Sequence, residues 1–211
     1  YNNFMLFEGD HLTPNSTAQS WQFDADNTPW YFIISESENS YDYCAGSISM
    51  YNPSGKSDDW MVTRQIFLPN TYCYLDFDVQ SYLNNKKDSL QVYVYTDDAV
   101  YSGISDETIS RIKTQAVCVF NGQAAPGSSQ EGLTGDWAHY RIPVEQFAGK
   151  NVYIACANQG TDQSALFVDN IKVVYKSSCL LGLNTKTTVV AQEEIAINGI
   201  VKITDETNTY E

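Results

Sequence analysis

In YCYLDFDVQ, residues 72–80, apolar and polar side chains alternate: Cys73, Leu75, Phe77 and Val79 fall on one face, and Tyr72, Tyr74, Asp76, Asp78 and Gln80 on the other. Successive side chains of an extended strand point to opposite faces, so this pattern fits a sheet with one dry face and one wet face. The same period runs through SLQVYVYTDD (89–98), where Leu90, Val92 and Val94 oppose Gln91, Tyr93 and Tyr95. WYFIISES (30–37), DDWMVTRQIFL (58–68), AVCVF (116–120), HYRIPV (139–144), NVYIACAN (151–158) and LFVDNIKVVY (166–175) also read as strands. The pattern predicts a core of Leu75, Phe77, Val79, Leu90, Val92, Val94, Val152 and Ile154, with Asp76 facing solvent.

Turn residues separate these runs at 52–59, 83–88, 121–136 and 158–164. One short helix is expected at 105–113, with Ser105 as cap, Asp106 and Glu107 in its first turn, and Ile109 and Ile112 on one face. Residues 144–148 fit a single helical turn. Many short antiparallel strands with little helix make an all-β sandwich. The texture changes near residue 176. Residues 1–176 are expected to form the sandwich, and 177–211 a linker with a β-hairpin around Asn198-Gly199 or the first strands of a further domain.

Asp and Glu outnumber Lys and Arg by 26 to 12, a net charge of −14. That balance repels a phosphate backbone, so nucleic acid is not expected as a partner. No run of about 18 apolar residues is present, the length a membrane-crossing helix needs. Direct membrane insertion is therefore not expected. The five cysteines, Cys44, Cys73, Cys118, Cys156 and Cys179, form no C-x-x-C pair. Cys73 and Cys156 fall in step with core residues and read as buried thiols.

No G-x-S-x-G elbow, H-E-x-x-H zinc motif, P-loop or dinucleotide fingerprint is present. Of the two histidines, His139 sits on a strand and reads as structural. The expectation is a chain that is not an enzyme, with a hydrolase as a rival reading. The oddly placed carboxylates are Glu8 in FMLFEGD, Asp24 and Asp26 in WQFDADNTPW, Asp58 and Asp59 before Trp60, and Asp169 inside LFVDNIKVV. Alternation puts Asp169 with Phe167, Ile171 and Val173, the expected core face. A buried carboxylate costs several kcal/mol unless compensated, and a cation is one such partner. The stretch DADN is not an EF-hand loop, because Pro29 and Ser35 stand where Gly and Glu are needed. Alone it fits either a solvated acidic loop or a cation-binding one.

Five pieces in order, FEGD (7–10), WQFDADNTPW (21–30), SDDWMVTRQIFLP (57–69), FAGKNVYIACAN (147–158) and LFVDNIKVV (166–174), resemble the cleaved adhesin domain family, also seen as the choice-of-anchor J type. The resemblance covers about residues 4–176. It implies a galactose-binding-like jelly roll that binds calcium, in secreted or outer-membrane surface proteins of Bacteroidetes-like bacteria. Other domains of the same polypeptide and a host or matrix protein or glycan would be its partners. By this resemblance Glu8, Asp24, Asp26 and Asp169 match the acidic positions, with Asp59 at a further one. The chain departs from the family's Asp-Gly-Asp-Gly at Asp26-Asn27-Thr28-Pro29, and has Ala157-Asn158 where the family often has Arg-His. The expected role is a calcium-stabilised adhesion module. The alternative is a carbohydrate-binding module attached to a hydrolase or protease, with Tyr72, Tyr74, Tyr93 and Tyr95 stacking on sugars. Cross-strand pairing is the plain role for those tyrosines.

Overall fold

The computed structural model describes residues 4–21, 23, 29–37, 40–97, 105–122, 133 and 135–175, and the backbone of 203–204 and 209–210. In chain order the strands are β1 (Phe4–Glu8), β2 (Tyr31–Ser37), β3 (Ser40–Ile48), β4 (Asp59–Thr63), β5 (Ile66–Phe67), β6 (Cys73–Ser81), β7 (Leu90–Thr96), β8 (Val117–Asn121), β9 (Ala138–Pro143), β10 (Asn151–Asn158), β11 (Ala165–Tyr175), β12 (Ile203–Thr204) and β13 (Thr209–Tyr210). One sheet runs β1-β4-β10-β7-β8, with β5 also on β10; the other runs β2-β3-β11-β6-β9. Every pairing is antiparallel. The result is a jelly-roll β-sandwich. Among the described residues β12 and β13 pair with each other and with no other strand, and the Asn198-Gly199 turn lies outside the described residues.

All eight residues predicted for the core are buried between the sheets, as are Cys73 and Cys156. The alternation was legible because each of these strands keeps one face dry. β3 escaped it: Ala45, Gly46 and Ser47 give no apolar rhythm. Gly46 is small for a reason, since a Cβ there would stand 2.6 Å from Ile33 Cδ1 and 3.1 Å from the Phe167 ring. The run 58–68 divides into β4 and β5, both laid along β10.

Two expectations fail on β11 and β6. β11 buries Leu166 and Val168 in the inter-sheet core, then shifts register between Asp169 and Lys172, where Asn170 adopts φ +53°. An extra residue in a strand exchanges its faces. Ile171 and Val173 therefore turn inward, while Phe167 and Asp169 precede the bulge on the outer face. Asp76 is not solvent-exposed: it is 1% exposed beneath Arg141, whose Nε and Nη2 each donate to it at 2.9 Å.

Two helices pack outside the sheets. The short α1 (Ser16–Ser20), absent from the sequence expectations, is capped by Asn15, whose side chain accepts from Thr17 N and Ala18 N. α2 (Asp106–Gln115) confirms the expected helix; Ile109 and Ile112 pack on Trp60, Val62, Tyr95 and Tyr153 of the first sheet. The expected helical turn is a 3-10 turn at Glu145–Phe147. Ser105 Oγ accepts from Thr108 N at 3.3 Å. Ser105→Ala should lower stability by about 1 kcal/mol in a denaturant melt; an unchanged midpoint would show that the cap contributes nothing.

Candidate metal centre

At one end of the sandwich the register brings polar residues from three adjacent strands into a row. Glu8 of β1 lies opposite Asp59 of β4, which lies opposite Asn158 of β10. The two adjacent aspartates part company there. Asp58 faces outward, where Lys113, Trp60 Nε1 and Gln159 Nε2 all bind its carboxylate. Asp59 shares the inward parity of Met61 and enters the space between the sheets, where it is 2% exposed. Among the described residues no lysine or arginine pairs with it.

Asp59 is held by one oxygen. Its Oδ2 accepts from Tyr51 OH at 3.0 Å, Ser57 Oγ at 3.1 Å and Ser47 Oγ at 3.2 Å. Asn158, fully buried, donates to Ser47 Oγ at 3.1 Å and so fixes that hydroxyl. The other oxygen, Oδ1, is buried and receives no hydrogen bond from an amide, hydroxyl or cationic group among the described residues; the neighbouring Glu8 carboxyl is the side-chain partner left to this carboxylate. Glu8 and Asp10 join Asp59 in a group whose nearest oxygens all lie within 4.8 Å of one another. Glu8 Oε1 accepts from Asp10 N and His11 N, and Asp10 accepts from Leu12 N and Asp58 N. His11 takes φ +56°, the bend that wraps the Glu8–Leu12 turn around these carboxylates.

Burial, and then the charges of Glu8 and Asp10, push Asp59 up to about 9. Burial also raises Glu8, against the His11 amide that lowers it. Burial and the charge of Asp59 push the Tyr51 phenol up, so it remains a donor. Three carboxylates, one of them buried with no cationic partner among the described residues, form an all-oxygen donor set of the kind a hard divalent cation takes. Supporting hydroxyls that orient the first ligands are the usual companions of such a set. The residues fit calcium: Glu8, Asp10 and Asp59 would hold it, and its charge would offset their mutual repulsion.

Of the predicted ligands, the structure brings together Glu8 and Asp59. Asp10 was missed, although it stands in FEGD two residues after Glu8, the spacing of Asp24 and Asp26. Asp24 and Asp26 lie outside the described residues. Their flanks are anchored: Phe23 is buried in the cluster that contains Tyr51, and Trp30 lies in the main core. Asp169 lies elsewhere. It is three residues along β11 from Leu166, the partner of Ser47, roughly 10 Å at the rise of a strand. It precedes the bulge and alternates with the buried Val168, so it lies on the other face. A third buried carboxylate, Asp88, accepts from Ser49 Oγ and Ser89 N. Burial pushes it up to about 7.

The tyrosines named for sugar stacking divide between two sheets. Tyr93 packs on Trp60 with centroids 5.2 Å apart, and Tyr95 is 7% exposed against Tyr153 beneath α2. Tyr72 and Tyr74 belong to the β6 side of the other sheet. No common platform holds all four.

A pH dependence follows for the metal-free protein. Asp59 has a folded pKa near 9 against roughly 3.9 unfolded. Between those values the folded state holds a proton that the unfolded state has released, so stability falls as pH rises. Glu8 acts in the same direction. Calcium bound at this cluster would take the place of that proton. The increase in melting temperature on adding calcium should therefore grow from pH 5 to pH 8 in thermal scans. An increase independent of pH would separate the cation from Asp59.

Fold and cluster together define an antiparallel jelly roll with a carboxylate group between the ends of its sheets. Its fold is that of the cleaved adhesin domains of Lys-gingipain from Porphyromonas gingivalis W83. The K1 domain aligns with TM-score 0.52 and 14% identity, over 84% of this chain and 93% of that one. The K3 domain aligns with TM-score 0.52 and 18% identity, over 82% and 90%. No family profile matches the chain, and no curated protein matches it.

Proposed function

We propose that the chain is a calcium-stabilised, non-catalytic adhesion module of a secreted or cell-surface protein. The observation that carries the metal is the buried carboxylate of Asp59, with no lysine or arginine paired to it among the described residues, beside Glu8 and Asp10. The cation ties the first strand and its following turn to β4, and through Asn158 to β10. Asp24 and Asp26 are further candidate ligands. The adhesin role is supported by the fold shared with the K1 and K3 domains and by the sequence pieces that resemble their family. Among the described residues no helix is long and apolar enough to cross a membrane. Calorimetric titration of EDTA-treated protein tests the reading. Saturable calcium uptake by the wild type and none by Asp59→Asn are expected; no uptake by the wild type removes the metal from it.

A further inference from the structure

We propose that the outer face of β6, β9 and β11 binds a neutral oligosaccharide. The inference rests on reading the chain as a binding module and not on the metal centre. Register alone sets out the face: Asp76 lies between Arg141 and Lys172, and Asp78 lies opposite His139. The two Arg141–Asp76 hydrogen bonds fix the guanidinium plane, with its carbon 5.8 Å from the Tyr74 ring centre. His139 Nδ1 is 2.7 Å from Asp78 Oδ1, and Asn170 Nδ2 donates to Asp78 Oδ2 at 2.7 Å. Asp76 is 1% exposed, while the Arg141 and His139 side chains remain 42% and 52% exposed. The carboxylate underneath holds the groups above it, and both of those side chains stay partly exposed at the surface of the sheet.

Such a face offers what a sugar requires. Hydroxyl groups need donors and acceptors held in fixed positions, which paired charged groups supply. The apolar face of a pyranose ring needs an amphipathic aromatic surface. Trp137, 48% exposed, precedes β9 at the parity of His139 and Arg141. Gln80 Nε2 donates to Gly135 O at 2.5 Å and ties that loop to the same face. Tyr74 stands at the far end, with Tyr72, 63% exposed, just beyond it. Six residues of β6 separate Gln80 from Tyr74, about 20 Å of strand, a length for several linked sugars and not for one. Charge selects a neutral ligand: Arg141 and Lys172 face Asp76, Asp78 and Asp169, and the whole chain carries −14, which repels polyanions.

The test is affinity electrophoresis of the full chain in native gels cast with xylan, galactan, mannan, mixed-linkage glucan or polygalacturonate. Retardation by at least one neutral polysaccharide is expected. Trp137→Ala and His139→Ala, both at exposed positions, should each weaken it about tenfold or more with unchanged melting. Phe67→Ala, an exposed aromatic on the other sheet, should leave it intact. Retardation by no neutral polysaccharide, retardation by polygalacturonate alone, or binding that survives both Trp137→Ala and His139→Ala overturns the site. If calcium still raises the melting temperature in those cases, only the glycan inference has failed.

Discussion

Calcium at a hundredfold excess over its Kd should raise the stability of the EDTA-treated protein by about 2.7 kcal/mol, and Asp59→Asn should abolish the increase. The magnitude follows from binding to the folded state alone. For a chain of this size it corresponds to about 5–11 °C in melting temperature. The variant separates loss of the site from loss of the fold. Without metal, burial keeps the Asp59 carboxyl protonated at neutral pH, so an amide of the same shape changes little there. Metal-free Asp59→Asn should therefore melt close to metal-free wild type and ignore calcium. Glu107→Gln, on the exposed side of α2, should keep the full response. A wild type whose midpoint calcium does not move, or an Asp59→Asn protein that still responds, ends the assignment of the ion to this cluster.

Arg141→Ala lowers stability at pH 7 by about 3 kcal/mol. Removing one partner of a buried ion pair costs about 3–5 kcal/mol, because the other charge is left buried and uncompensated. The lower end applies because the Arg141 side chain is 42% exposed and Lys172 and His139 remain near Asp76. The expected fall in melting temperature is about 6–12 °C. Arg141→Lys should recover part of it, since an ammonium keeps the charge but not the paired hydrogen bonds. The pH dependence has a definite sign. Hydrogen bonds from Arg141 hold Asp76 below the usual carboxylate range, so the contribution is present above the unfolded pKa and is lost as pH falls through the folded one. Scans from pH 7 to pH 3 should show wild type and Arg141→Ala converging. Equal melting at pH 7 would mean that Asp76 is satisfied without its partner.

Local rules carried much of the chain. Period-two alternation identified most strands and all eight core residues named on β6, β7 and β10, because one buried face imposes that rhythm on each strand separately. The Ser105 cap with Ile109 and Ile112 marked α2 for an equally local reason, as three or four residues decide a helix start. Glu8 and Asp59 were legible as oddly placed carboxylates next to apolar residues, and the order of five short pieces pointed to the fold. Tertiary structure decided the rest. Asp58 and Asp59 are adjacent and chemically identical, and only the packing of Lys113 against one face of β4 gives the first a cationic partner and leaves the second without one among the described residues. Asp10 became a candidate ligand when the Glu8–Leu12 turn bent back against Asp59. Asp169 was lost when one extra residue at Asn170 exchanged the faces of β11, a change no count of alternation contains. Asp76 reads as solvent-facing on its own strand; the guanidinium that covers it arrives from β9, 65 residues later in the chain.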